Sequence, residues 1–217
     1  MDNKVKFILP PYGILHSTNK EDPLAFYYKP ILGHLYKKRI QNGLDLLSPP
    51  FDSVLDFGYG SGILLPTLNS ISRELYAIDL NSDVGLVNSG LKKLNIKASL
   101  IEGDIVENFY KEKSLDLIVA FSVFEHILNP APILKEMSKI IKDGGHLLVG
   151  MPRVDSLMEK LFRLIGYKEI NEHHLMNFDT FLKIASDFFV VEKKSRLLSF
   201  LPPFFGLYFN VLLRKRD

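Results

Sequence analysis

The sequence predicts an α/β fold: a doubly wound, mostly parallel sheet of seven strands, its last strand antiparallel, with a helical cap at the N-terminus. Two observations lead there. Short, almost wholly apolar strand candidates alternate with helix-spaced segments between residues 51 and 150. That is the pattern of strands buried on both faces and joined by right-handed helical crossovers. The first strand then runs into Gly58-Tyr59-Gly60-Ser61-Gly62. Glycines so placed let the backbone bend sharply and let a ligand come closer than a Cβ would permit.

In chain order, residues 1–50 read as the cap and 51–217 as the sheet-bearing domain. Across 30–47, Ile31, Leu32, Leu35, Tyr36, Ile40, Leu44 and Leu47 recur at helical spacing, with Lys37, Lys38, Arg39 and Gln41 between them. Pro30 fits a first helical position and Pro49-Pro50 a stop. An aromatic cluster, Phe26-Tyr27-Tyr28, precedes this helix. Strands follow at 54–57, 75–79, 98–102, 115–121 and 146–150, with helices at 63–71, 82–94 and 132–141 between them. The last helix carries the stripe Ile133, Leu134, Met137, Ile140 and Ile141, and Lys142-Asp143-Gly144-Gly145 supplies its stop and the turn into the next strand. Residues 151–176 are mixed and partly helical, and Asp179 suits the cap of a helix running to about Ser186. Segments 188–196 and 207–214 then close the sheet as a strand pair.

Composition narrows the classes. A chain of 217 residues with 47% hydrophobic content and 16 phenylalanines can bury a full core without covalent staples. The absence of cysteine excludes disulfides and thiolate metal sites, and it suits a reducing, cytoplasmic setting. A formal charge of +2 gives no reason to expect nucleic acid. Phe7-Ile8-Leu9 before Pro10-Pro11 is too short for a signal-peptide core. The apolar run 197–213, broken by Pro202-Pro203 and ending in Arg214-Lys215-Arg216, reads as two core strands joined by a proline turn. A second reading makes it a weak membrane-surface contact.

The glycine loop carries the chemistry. Its third glycine comes two residues after the second, whereas the dinucleotide fingerprint needs it three after, where this chain has Ile63. Asp56, just before the loop, would repel a pyrophosphate but suits a ligand bearing an ammonium group. Asp79 ends the second strand and Asp104 lies just beyond the third. In an open parallel sheet the ligand crevice lies outside the carboxyl ends of the strands, so all three aspartates should border one crevice. A lone strand-end aspartate is usually a cap or turn former. Three in succession with a glycine loop point to a small-cofactor site, and the glycine spacing argues against a nicotinamide.

The ordered set Asp56-Phe57-Gly58-Tyr59-Gly60-Ser61-Gly62, Asp79, Gly103-Asp104, and 115–127 with its Glu125-His126 pair resembles the motifs of the class I S-adenosylmethionine-dependent methyltransferases. It is most similar to the branch of small-molecule and quinone-pathway enzymes, over about 54–152. The resemblance implies a Rossmann-like methyltransferase fold and S-adenosyl-L-methionine as cofactor. Under it, Gly58, Gly60 and Gly62 line the methionine and ribose, the Tyr59 ring shapes the methyl-donor pocket, Asp56 meets the ammonium, and Asp79 holds the ribose diol. Asp104 accepts from the adenine amino group, Ile105 and Leu80 flank the ring, and Ser122 opens the segment beside the methyl.

His126 and His173 are the candidate general bases; the bland reading of Glu125-His126 is that it orders the loop. The pair His173-His174 supplies too few ligands for a metal, so none is expected. The motif that methylates amino groups on nucleic-acid bases is absent after the fourth strand. Phe26, Tyr27, Tyr28, residues 122–126 and 151–176 would wall a small, planar or hydrophobic acceptor. The competing expectation is a non-catalytic cofactor-binding or membrane-peripheral module acting through the phenylalanine-rich C-terminus.

Overall fold

The computed structural model describes residues 4–19, 22–104, 111–152, 175–197 and 208–216. Seven strands form one sheet: β1 Phe51–Phe57, β2 Ser72–Asp79, β3 Ser99–Glu102, β4 Leu115–Phe121, β5 Ile141–Pro152, β6 Phe189–Arg196 and β7 Tyr208–Lys215. Their order is β3-β2-β1-β4-β5-β7-β6. The pairs among β1 to β5 are parallel, and β7 runs antiparallel to both β5 and β6. The chain winds outward from β1 to β3, then returns to lay β4 against the other side of β1. That reversal opens a crevice at the carboxyl ends of β1 and β4.

Side-chain alternation divides the core into two layers. Val54, Leu117, Val119, Leu148 and Leu212 face the side covered by α1 (Pro30–Leu44), α2 (Leu65–Asn69) and α3 (Val84–Lys93). Leu55, Phe57, Ile118, Ala120, Leu147 and Val149 face α4 (Ala131–Ile140) and α5 (Phe178–Ala185). Asp56 shares the parity of Val54, and Asp79 that of Ala77, so both carboxylates lie on the α1–α3 side. The N-terminal segment packs there too, with Ile8 N donating to Thr67 Oγ1 at 2.9 Å and Leu15 seated against Gly90.

At the opposite ends of the strands, Asp116 ties three of them together. Its Oδ2 accepts from Ser53 N (2.9 Å) and Ser53 Oγ (3.0 Å), and Lys142 Nζ donates to its Oδ1 at 2.8 Å. Partial burial would raise this carboxyl, but Lys142 and Ser53 outweigh it and hold it below the ordinary range.

Several boundaries differ from the sequence expectation. Helix α1 ends at Leu44 rather than Leu47, because the chain tightens into turns, with Leu46 N bonded to Gly43 O and Leu47 N to Leu44 O. Ile63 stays out of α2, since Gly62 N bonds back to Tyr59 O and the turn must close first. Residues Lys142 to Gly145 are not a turn before β5 but a bulge inside it: the register with β4 jumps from Leu115↔Ile141 to Leu117↔His146. Asn177, not Asp179, caps α5, its side chain accepting from Thr180 N at 2.9 Å. The apolar C-terminal run supplies β7, where Tyr208, Val211, Leu212 and Leu213 are buried in the sheet. Among the described residues no helix is long and apolar enough to cross a membrane.

Candidate functional site

β1 delivers its last residues into the glycine loop at the switch point. Gly58 N donates to Ile78 O at 2.8 Å, and its φ of +82° is one that a side chain rarely tolerates. A Cβ there would also run into Val123, so Gly58 lets β1 and the segment after β4 approach closely. Gly60 has φ +51°, and the atom nearest to a Cβ placed there is Asp22 Oδ2 at 3.9 Å. A Cβ at Gly60 would therefore come into ordinary contact with the Asp22 carboxylate and would meet nothing closer.

The loop is pinned from three sides. Gly60 N donates to Asp79 Oδ2 (2.9 Å), Ser82 Oγ to Gly60 O (2.9 Å), and Ser61 Oγ to Asp22 Oδ1 (3.2 Å). Asp79 Oδ1 accepts from Asn81 N at 2.8 Å, and its carbonyl accepts from Gly103 N at 3.0 Å. Asp104 follows directly. Asp56, Asp79 and Asp104 thus stand at one end of three adjacent strands, β1, β2 and β3.

Asp56 is 3% exposed and forms no ion pair among the described residues. Burial, then the charge of Asp79, push its carboxyl up to about 8. Next to Asp79, Leu80 leaves 61% of its surface uncovered, a large apolar side chain with nothing over it. The ring of Tyr59 packs into the α1–α3 core, and its hydroxyl is shielded without a hydrogen-bond partner. Burial and the carboxylates of Asp79, Glu102 and Asp83 raise that hydroxyl to about 12. Ile105 and His173 lie outside the described residues.

Beyond β4, Ser122 adopts φ +57°, with its N bonded to Gly150 O at 2.8 Å. Its Oγ lies 2.9 Å from Tyr208 Oη and 3.4 Å from Arg39 Nη1. The 3₁₀ turn Phe124–His126 buries Phe124 and Glu125 and leaves His126 exposed. The carbonyl of Glu125 accepts from Leu175 N (2.7 Å) and Met176 N (3.2 Å), so the backbone of this pair anchors the start of the α5 segment. Its side chain is 1% exposed, Oε2 has no partner among the described residues, and burial, against the pull of Arg39 and Ser122, pushes the carboxyl up to about 8.

Sequence reasoning missed Asp22, Arg39, Glu125 as a side chain, and Tyr208. Asp22-Pro23 did carry a signal, an N-cap followed by proline. Arg39 sits among Lys37, Lys38 and Gln41, which reads as a solvated helix face, and only the packing of α1 over β5 and β7 draws it inward. A hollow of about 530 Å³ runs between α1 and the β6–β7 edge, lined by Asn42, Asp45 and Leu46 on one wall and Ser195, Arg196 and Phe209 on the other. It holds none of the strand-end aspartates, and the chemistry at the switch point is not there.

A family model described as a methyltransferase domain matches residues 32–187. The ubiquinone biosynthesis O-methyltransferase of Proteus mirabilis is 28% identical over 97 residues, covering 43% of this chain and 39% of that protein. The chain spans between 36% and 55% of the length of the curated relatives it matches first. Among solved structures, the N-methyltransferase NodS of Bradyrhizobium japonicum in complex with S-adenosyl-L-homocysteine superposes with TM-score 0.65 at 16% identity, covering 93% of this chain and 95% of that one. A Pyrococcus horikoshii OT3 protein does so with TM-score 0.70 at 13% identity, over 90% and 96%. At these identities the structural likeness shows the fold.

Proposed function

Because this chain belongs to the methyltransferase-domain family, we propose that it moves a methyl group from S-adenosylmethionine to a small, planar or hydrophobic acceptor. The observation that carries the reading is the buried Asp56, without an ion pair among the described residues, at the strand end that leads into the glycine loop. A carboxyl held there at about 8 is waiting for a positive charge.

The residues present fit such a cofactor. Asp56 would take its ammonium, directly or through water, and Asp79 its ribose hydroxyls. Leu80 offers an uncovered apolar face for a purine, and Asp104 stands at the next strand end. The glycine loop, where Gly60 has no side chain and only Asp22 nearby, would admit the methionine portion. When bound, the cofactor supplies an electrophilic methyl on a positive sulfur, displaced in line by the acceptor.

The protein's own part is alignment and exclusion of water. Asp79 fixes the glycine loop through Gly60 N, and Val123 against Gly58 sets how near the post-β4 segment approaches it. Tyr27 and Tyr28 have structural duties: Tyr27 is buried and accepts from Arg39, and Tyr28 Oη donates to Pro10 O at 3.0 Å. Phe26 and Tyr36, whose ring centroids lie 5.4 Å apart, remain half-buried and suit the wall of an apolar acceptor site. His126 is exposed on the turn after β4 and would serve as base for a neutral hydroxyl; an acidic oxygen needs none.

The test is incubation with methyl-labelled S-adenosylmethionine and separated cellular metabolites, lipids and RNA. Label should enter small aromatic or apolar metabolites. Label confined to RNA or to bilayer lipid would overturn the acceptor class.

A further inference from the structure

We propose that Arg39 is the anchor for a carboxylate on the acceptor, so that this enzyme methylates small aromatic or apolar acids. The proposal rests on the methyl-transfer reading above and names the substrate class for the same site.

Arg39 comes from α1 and is half-buried, its guanidinium lying over aromatic rings where Lys38 stands exposed. It lies 4.2 Å from the ring centroid of Tyr36 and 5.0 Å from that of Tyr208. Nη1 reaches Ser122 Oγ at 3.4 Å and Nη2 reaches Tyr27 Oη at 3.3 Å, both long contacts to neutral hydroxyls. Nε is shielded and has no partner among the described residues. Among the described residues no carboxylate forms an ion pair with it.

A charge partly withdrawn from water with no carboxylate on it is costly, and a carboxylate on the ligand would relieve that cost. The nearby acid, Glu125, feels the Arg39 charge, yet the two form no ion pair among the described residues. Glu125 is buried, its Oε2 is unpaired, and at neutral pH burial keeps it largely protonated. Among the described residues, then, no carboxylate closes on the Arg39 guanidinium, which rests on the hydroxyls of Tyr27 and Ser122.

Its position ties that charge to the reaction. Ser122 joins the cluster to the end of β4, and the next residue, Val123, packs on Gly58 of the cofactor loop. An anion on Arg39 would thus sit beside the segment nearest the glycine loop. The donors of a guanidinium form a planar fork matched to a carboxylate, and the flanking tyrosine rings suit a flat or apolar body attached to it. A residual role for Arg39 in packing alone would leave the choice between an acid and its amide unaffected.

The experiment uses the full chain and four probes, benzoate and 3-phenylpropionate against benzamide and 3-phenylpropionamide, titrated calorimetrically with and without saturating S-adenosylhomocysteine. The wild-type protein should bind each acid about tenfold or more tightly than its amide. Arg39→Gln should remove that preference while keeping its affinity for S-adenosylhomocysteine. Arg39→Lys, which retains the charge without the planar fork, should keep part of it and serves if the glutamine variant does not fold. Equal binding of acid and amide, no binding of any acid, or a preference unchanged in both variants would overturn the proposal. Failure of S-adenosylhomocysteine to bind while the acid preference persists would instead sink the cofactor reading and leave Arg39 an anion site.

Discussion

Binding of S-adenosylhomocysteine should expel a proton from Asp56. In the free protein burial, with Asp79 adding to it, holds this carboxyl at about 8, so at pH 7 it is mostly neutral. An ammonium brought against it favours the charged form and draws its pKa down toward the ordinary value of about 4. Between the bound and free values, each pH unit then strengthens binding by about tenfold, or about 1.4 kcal/mol. From pH 6 to pH 8 the affinity should rise roughly 30- to 100-fold and then level off. The assay is titration calorimetry at pH 7 in two buffers of different ionisation enthalpy, which counts the proton directly, followed by affinities across the pH range. Asp56→Asn has no proton to lose and should bind with flat pH dependence. Wild-type binding that is independent of pH and releases no proton would refute the reasoning.

Four further outcomes follow from the geometry. Gly58→Ala meets both a left-handed φ and Val123, so unfolding in urea should show a loss of about 2 kcal/mol or more, with weakened cofactor binding. Asp79→Ala frees Gly60 N and Asn81 N as well as removing an acceptor, and affinity for S-adenosylhomocysteine should fall about 10- to 100-fold by calorimetry. Glu125 holds its proton when folded but not when unfolded from its ordinary value up to about 8, so its contribution is fully present below that ordinary value and lost as pH rises toward 8. Glu125→Gln should therefore gain on the wild type with rising pH, by about 3 kcal/mol at pH 7, read as melting temperature at pH 5 and pH 8. Asp116→Ala should cost about 2 kcal/mol of stability yet leave cofactor affinity unchanged, since its bonds lie at the far ends of the strands.

Much of this was legible in the chain itself, and the reason is local. β4 occupies Leu115–Phe121 as its apolar run from Leu117 requires, and the alternating faces of Val54 and Leu55 follow from a sheet covered on both sides. The strand-end aspartates were readable because each follows its strand in sequence. What the chain concealed depends on long-range packing. Nothing near Arg39 marks it as inward-facing; that is set by Tyr36, Tyr208 and Ser122, the last two far along the chain. The Lys142–Gly145 bulge looked like a turn because glycine pairs do, whereas here Lys142 is held by Asp116 and the strand carries on. His126 drew notice for its chemistry, yet burial selects its neighbour Glu125, a distinction that sequence alone does not make.

The most direct measurement is a crystal structure of this protein grown with S-adenosylhomocysteine. The account expects the ligand at the carboxyl ends of β1, β2 and β3, its amino group toward Asp56, its ribose hydroxyls on Asp79 and its adenine against Leu80. The same compound seated elsewhere, or a crevice that stays empty at saturating concentration, would contradict it.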